Sequence, residues 1–228
     1  LILFHAELDM PIYVENQSPL LSKMRQMILV DDISEIQLIK NRLWNGTHAM
    51  MAWYASLLGH ETIGIAMGDV QLQQFSQQLL AQVKQGLLLQ LPHRGADLNR
   101  LAQSFMASCK FAFKDPCSRV ARDPLRKLES GERVLSSIQQ QILSGQAYDQ
   151  LIAGAVLGYA YAILHDQMAI DEVMSAMQNE VENMLLSIPQ QQALLLQLKN
   201  GLAHLLQYPD QFDPQQVTTD SATSAVCA

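Results

Sequence analysis

Residues 40–53, KNRLWNGTHAMMAW, decide the fold class, because large apolar residues recur in them at helical spacing. Leu43 continues a stripe that begins at Ile36 and Ile39, as expected of one face of a helix. The stretch is therefore predicted to lie within a helix that packs against a hydrophobic core. Four further side chains are predicted to be core residues rather than substrate contacts: Trp44, Met50, Met51 and Trp53.

Three polar residues interrupt this apolar stretch. At about 100° per residue, with Lys40 at about 0°, His48 falls near 80° and Asn45 near 140°, away from the apolar stripe. A long lysine stem can reach toward the other two, so the three side chains could converge on one small site. Alternatively, the lysine is solvated, Asn45 begins a helix-breaking Asn-Gly turn and the histidine is an interior residue. Spacing alone leaves both interpretations open.

The rest of the chain is also predominantly helical in pattern, and strand-like sequence is confined to the first 30 or so residues, as in FHAELDMPIYVEN at 4–16. Proline, glycine and Asn-Gly separate the periodic segments. The sequence therefore predicts a mainly α fold of many helices. Further helices are predicted at about 60–90, 95–114, 124–143, 147–165, 168–187 and 190–206.

Composition excludes several classes of function. The 228 residues carry a net charge of -7, which argues against a general binder of nucleic acid. The longest apolar run, residues 151–164, is shorter than the roughly 18 residues of a membrane span. Three cysteines without a CxxC motif predict a reducing compartment, the cytoplasm. The histidines lack metal-ligand spacing, and no histidine stands at motif spacing from a cysteine, so neither a metal site nor thiol catalysis is predicted.

A basic block stands out in this acidic chain. Four cationic residues fall within nine positions, and Asp123-Pro124 has the pattern of an N-cap followed by a proline that starts a helix. Guanidinium groups beside a helix N-terminus suit an anion. The alternative is a surface ion-pair network with Glu129, Glu132 and Arg133. The four cationic residues are Arg119, Arg122, Arg126 and Lys127.

Two segments resemble the mannitol dehydrogenase family, the polyol-specific long-chain dehydrogenases. Residues 40–48 carry K-x4-N-G-x-H, followed by a helix that ends in LLGHETI, and this pattern is similar to the catalytic helix of the family. SRVARDPLRKLESGERVL, at 118–135, resembles the corresponding segment of the mannitol-1-phosphate 5-dehydrogenases within that family. The two segments occur in family order, and the resemblance covers about residues 8–205.

The resemblance implies a C-terminal, helical substrate domain whose partner is a Rossmann-type domain that binds NAD. The sequence itself contains no GxGxxG after a strand, so the cofactor would be bound outside this chain. We expect residues 1–31 to be the end of, or the linker from, that cofactor domain, 32–210 to form the helical domain and 211–228 to be a disordered tail.

The resemblance also implies roles for single residues. Lys40 would be the general base that takes the hydroxyl proton, and a lysine with that role needs a pKa well below the reference of about 10.4. Asn45 and His48 would hydrogen-bond the reacting oxygen. Arg119 and Lys127, eight positions apart as in the family, would bind substrate oxygens. Two further arginines are candidates for a phosphate group: Arg122 and Arg126.

These inferences predict the substrate-binding and catalytic half of an NAD-dependent oxidoreductase that interconverts mannitol 1-phosphate and fructose 6-phosphate without a metal. The chain alone should be inactive, because hydride transfer needs a bound cofactor. A mannitol 2-dehydrogenase or a hexuronate reductase of the same family is the alternative among enzymes. A truncated, non-enzymatic helical binding module is the alternative outside them, and the sequence leaves the oligomeric state open.

Overall fold

A two-stranded parallel sheet precedes the helices in the computed structural model, which describes residues 12–15, 27–111 and 114–214. Strand β1 (Ile12–Glu15) pairs with β2 (Met27–Val30), and Ile12 stands opposite Met27. The hydroxyl of Tyr13 donates to Asp97 Oδ1 at 3.0 Å, which ties the sheet to the helical part of the chain. The predicted strand-containing N-terminal segment is therefore present ahead of the helices.

Helices make up most of the chain beyond the sheet, and the mainly α prediction is confirmed. A π-helical segment, Lys40–Gly46, joins the first two, and 3₁₀ turns lie at Pro92–Arg94 and Pro209–Gln211. The α-helices of the described ranges are α1 (Ile33–Ile39), α2 (Thr47–Leu57), α3 (Ile63–Ala66), α4 (Val70–Gln90), α5 (Gly95–Phe111), α6 (Cys117–Ala121), α7 (Pro124–Lys127), α8 (Leu135–Leu143), α9 (Asp149–Leu164), α10 (Ile170–Glu182) and α11 (Ile188–Gln207).

Helices α2 and α9 form the centre of the core. Every residue of α2 from Thr47 to Ala55 is buried, and so is α9 from Gln150 to Ala162. The two helices pack closely because Gly154 of α9 lies against the side chain of Met50 in α2. Helix α11 packs on the other side of α9. The four aromatic and methionine residues predicted for the core are all buried: Trp44, Met50, Met51 and Trp53.

Two of the predicted helix spans are wrong in detail. The span 60–90 is divided, because Asp69 accepts hydrogen bonds from the backbone N–H groups of Gln71 and Leu72 and so caps a new helix, α4. The span 124–143 is interrupted between α7 and α8 by the turn that contains Gly131. In both places a local capping or turn signal ends a helix that apolar periodicity alone would continue.

The predicted domain limits stay predictions. Residues 1–11 and 16–26, which belong to the predicted cofactor-domain end or linker, lie outside the described residues, as do 215–228 of the predicted tail. Within the described part of that tail, Phe212 packs against the helical core.

Candidate active site

The π-helical segment corrects the predicted geometry of Lys40 and Asn45. In a π-helix the hydrogen bonds run between residues five positions apart, so these two residues stand one turn apart. An α-helix would place them about 140° apart. Helical structure also continues through Gly46 into α2, which is contrary to the alternative that Asn45 begins a turn. π-Helical turns are frequent at functional sites, and this one carries two of the three predicted catalytic residues.

His48 is the buried member of the three. It lies in the first turn of α2, is 8% exposed, and meets the ring of Phe105 edge-on at a centroid distance of 5.9 Å. Burial lowers the pKa of His48 to about 4, with opposing contributions from the charges of Asp115, which raises it, and Arg119, which lowers it. The imidazole is therefore neutral at pH 7 and has one donor and one acceptor nitrogen.

The three predicted catalytic residues differ in their exposure to solvent. His48 is buried, Asn45 is half-buried and Lys40 is exposed. The general-base role predicted for Lys40 is favoured by shielding its amine from water or by positive charge nearby. The described residues leave Lys40 exposed, so shielding would have to come from a surface that covers it.

The basic block folds into α6, α7 and the residues between them. Asp123 precedes α7 in the left-handed region, at φ 55° and ψ 56°, and no hydrogen bond from the helix reaches its side chain. The prediction that a helix begins at Pro124 is correct, but Asp123 does not cap it through its carboxylate. Helix α7 is only four residues long, so its N-terminus cannot provide the anion site that the pattern suggested.

Lys127 is buried, unlike the three arginines of the block. It is 8% exposed, and its Nζ donates to the backbone carbonyl of Val120 at 2.7 Å and to that of Arg122. Burial, reinforced by the charges of Arg133 and Arg126, lowers its pKa to about 8. Two of the three ammonium protons therefore bind carbonyls at the C-terminal end of α6, and one is left for a ligand.

The three arginines of the block are exposed and make ion pairs with nearby acids. Arg122 pairs with its neighbour Asp123 at 3.3 Å, and Arg126 reaches Glu132 at 4.0 Å. Arg119 pairs with Asp115, four residues earlier. The surface network considered as the alternative is thus partly present, since Glu132 contacts two arginines. Such exposed pairs contribute only about 0–1 kcal/mol each.

Sequence reasoning missed Arg133 as a site residue and placed it in the surface network. Its side chain is 15% exposed, and both Nε and Nη2 donate to Glu132 Oε2, at 3.1 and 3.0 Å. The signal was available, because Arg133 ends the SGER motif that contributed to the family resemblance. Trp44 was also assigned to the core alone, although it lines the same cavity as Arg133.

This cavity of about 470 Å³ brings the predicted site residues together. Six basic residues and two acidic residues line it, whereas the chain as a whole has a net charge of -7. Positive charge concentrated in a cleft attracts anions. All seven predicted catalytic and substrate-binding residues line this cavity: Lys40, Asn45, His48, Arg119, Arg122, Arg126 and Lys127.

Neither a cluster of metal ligands nor a large parallel sheet is found among the described residues. They contain no group of three or more His, Cys, Asp or Glu side chains arranged to hold a metal ion. Among them the only strands are β1 and β2, whereas a dinucleotide fold needs a larger parallel sheet with a glycine-rich turn. We therefore assign no nicotinamide contact to the described residues. None of the described helices has the length and apolar character needed to cross a bilayer.

Residues 32–223 match the sequence model of a protein family described as "Mannitol dehydrogenase C-terminal domain". The chain is 28% identical over 170 residues to a mannitol-1-phosphate 5-dehydrogenase of Lacticaseibacillus casei, covering 71% of this chain and 44% of that protein. It is 24% identical over 127 residues to the same enzyme of Streptococcus mutans, covering 55% of this chain and 33% of that protein. The chain thus spans less than half the length of these curated relatives.

A solved structure has a similar fold. The mannitol 2-dehydrogenase of Pseudomonas fluorescens, in a ternary complex with NAD and D-mannitol, aligns with a TM-score of 0.63 and 15% sequence identity. The alignment covers 84% of this chain and 42% of that one. At this identity the likeness concerns the fold.

Proposed function

Because this chain belongs to the mannitol dehydrogenase family as its C-terminal domain, we propose that it is the substrate-binding and catalytic part of an NAD-dependent oxidoreductase that interconverts mannitol 1-phosphate and fructose 6-phosphate. One observation carries the proposal. The seven side chains assigned from the two sequence motifs line a single cavity with a surplus of positive charge. The names of the relatives in Lacticaseibacillus casei and Streptococcus mutans support a phosphorylated polyol as the substrate.

In the proposed reaction Lys40 takes the proton of the hydroxyl group that is oxidised and returns it when the ketose is reduced. The exposure of Lys40 supports a requirement for a second domain, which would exclude water from the amine and bring the cofactor to the same rim. NAD, when bound to that domain, supplies the hydride acceptor. This chain's share of the work is to bind the substrate, orient it and move the proton.

Asn45 and His48 are proposed to hold the reacting oxygen. The amide of Asn45 has two N–H donors, and the imidazole of His48 is neutral at pH 7 because burial lowers its pKa to about 4. A neutral imidazole can donate one hydrogen bond to the oxygen without competing with Lys40 for the proton. Negative charge that develops on the oxygen is then stabilised by two donors that line the cavity.

The basic block is proposed to bind the rest of the substrate. The remaining proton of Lys127 and the guanidinium of Arg119 would contact polyol hydroxyl groups, as the eight-residue spacing of the family implies. Arg122 and Arg126, both exposed, add to the positive potential that attracts the phosphate. We propose the cytoplasm as the compartment, since the sequence has three cysteines and no CxxC motif.

The proposal is tested by measuring binding of mannitol 1-phosphate and of mannitol to the 228-residue chain by isothermal titration calorimetry. A charge-assisted phosphate contact should make the phosphorylated polyol bind about 10-fold to 150-fold more tightly. Equal affinities would favour the free-polyol enzymes of the family, and no binding of either polyol would favour a non-enzymatic module. The chain alone should not reduce NAD in the presence of mannitol 1-phosphate, so turnover above that of a Lys40→Ala variant would contradict the need for a second domain.

A further inference from the structure

Arg133 is the most enclosed guanidinium in the cavity of the candidate active site. Its side chain is 15% exposed, whereas those of Arg119, Arg122 and Arg126 are 60%, 75% and 51% exposed. Coulomb interactions are stronger where water is excluded, and exposed charges are screened by salt. For an anion inside the cavity, Arg133 is therefore the arginine with the largest expected contribution.

The contacts of Arg133 leave one edge of its guanidinium for a ligand. Nε and Nη2 both donate to a single oxygen of Glu132, which occupies the side-on edge of the planar group. Five N–H groups are present, so three have no bond to any described residue, including both on Nη1. Nη1 and Nη2 form the end-on edge, which matches two oxygens of a phosphate.

The backbone holds Arg133 in a fixed position relative to the π-helical segment Lys40–Gly46. A Cβ atom placed on Gly46 would lie 3.4 Å from the Arg133 Cβ, so the two backbones are in close contact. The carbonyl of Arg133 also accepts a hydrogen bond from Ser137 Oγ at 2.7 Å, at the start of α8. Gly46 belongs to the same π-helical segment as Lys40 and Asn45. A group bound to Arg133 is thus held at a fixed distance from those two residues.

We propose that Arg133 is the residue that recognises the phosphoryl group of the substrate, binding two of its oxygens through the Nη1–Nη2 edge while Glu132 holds the guanidinium from the side. This inference rests on the proposed function, in which the substrate is a phosphorylated polyol. It moves the specificity contact away from Arg122 and Arg126, the two arginines that the sequence motif favours. Lys127 is a weaker candidate because its amine already donates to two backbone carbonyls.

The test compares the wild-type chain with Arg133→Gln, Arg133→Lys and Arg100→Gln. Arg100 is the matched control, because the charge change is the same and this residue does not line the cavity. Affinities for mannitol 1-phosphate and mannitol are measured by calorimetry at constant salt. Circular dichroism and thermal unfolding show whether each variant is folded, and Arg133→Lys preserves the charge and most of the packing if Arg133→Gln does not fold.

Arg133→Gln should weaken binding of mannitol 1-phosphate by about 10-fold to 150-fold and leave binding of mannitol unchanged within about twofold. Arg133→Lys should also lose affinity for the phosphorylated polyol alone, since lysine keeps the charge but cannot bond two oxygens side by side. Arg100→Gln should change neither affinity by more than about twofold.

Three outcomes overturn the inference, and they have different meanings. If the wild type prefers mannitol 1-phosphate but Arg133→Gln behaves like Arg100→Gln, the inference fails and the proposed function stands. If the Arg133 variants lose both polyols equally, the residue has a structural role and the phosphate is bound elsewhere. If the wild type binds both polyols equally, the proposed function itself fails, and the inference fails with it.

Discussion

His48 should make the stability of this protein depend on pH between about 4 and 6.5. The imidazole is 8% exposed, and burial lowers its pKa from 6.5 to about 4. Between these values the unfolded chain binds a proton that the folded chain does not, so the free energy of unfolding falls as the pH falls. This contribution to stability is fully present above pH 6.5 and is lost as the pH approaches 4.

The size of the effect is set by the two pKa values. At pH 5 the histidine is almost fully protonated in the unfolded chain and almost fully neutral in the folded one. Lowering the pH from 7 to 5 should therefore cost about 2 kcal/mol of stability through this one group. The charges that act on the imidazole are those of Asp115, which raises its pKa, and of Arg119 and Lys127, which lower it. These charges remain in a His48→Gln variant.

The assay is urea unfolding at pH 7 and pH 5, followed by tryptophan fluorescence. Trp44 and Trp53 are 6% and 0% exposed, so unfolding should shift their emission. The loss of stability between the two pH values should be about 2 kcal/mol smaller in His48→Gln than in the wild type. His204→Gln, which removes an exposed histidine, is the control and should retain the wild-type loss. Equal losses in the wild type and in His48→Gln would refute the reasoning.

Three further predictions concern single residues. In the protein joined to its nicotinamide-binding domain, Lys40→Ala should lower turnover by about 10²-fold to 10⁴-fold with cofactor affinity unchanged, and turnover within about threefold of wild type would remove Lys40 from the chemistry. Lys127→Met should lower the free energy of unfolding by about 1–3 kcal/mol, because two backbone carbonyls lose their donor, and an unchanged urea midpoint would contradict this. Gly158→Ala should lower the free energy of unfolding by about 1–3 kcal/mol, because its new Cβ would lie 2.7 Å from Trp53 Cζ3. The cost of this steric overlap exceeds the gain of about 1 kcal/mol in helix propensity. Gly131→Ala, with no atom within 4 Å of the new Cβ, is its control, and equal stability of the two variants would show that α9 adjusts freely.

Local patterns in the sequence determined the fold class. Apolar periodicity and Pro, Gly and Asn-Gly punctuation predicted the long helices α5, α9 and α11 close to their observed limits. The same periodicity joined α3 to α4 and α7 to α8, since apolar spacing alone does not show that one helix ends and another begins a few residues later. The side chain of Asp69, which caps α4, and the glycine of the ESGER turn were the local signals of these breaks.

The sequence also determined which residues are candidates for the site, and the tertiary structure decided how they are arranged. Two motifs, read through a family resemblance, named seven residues, and all seven line one cavity. The π-helical register that places Lys40 and Asn45 one turn apart was not predicted, because residue spacing does not indicate which hydrogen bonds a helix makes. Only the structure shows that the segment between α1 and α2 has this register.

Burial distinguishes the cationic residues between positions 122 and 133, and it cannot be derived from the sequence. Arg122, Arg126, Lys127 and Arg133 all carry charge within twelve positions, and nothing in their order distinguishes them. Lys127 is buried and donates to two backbone carbonyls. Arg133 is largely enclosed and lies beside the π-helical segment. The side chains of Arg122 and Arg126 are exposed to water. The physical reason is that desolvation depends on which distant elements pack over a side chain, whereas hydrophobic periodicity and capping depend on neighbours along the chain.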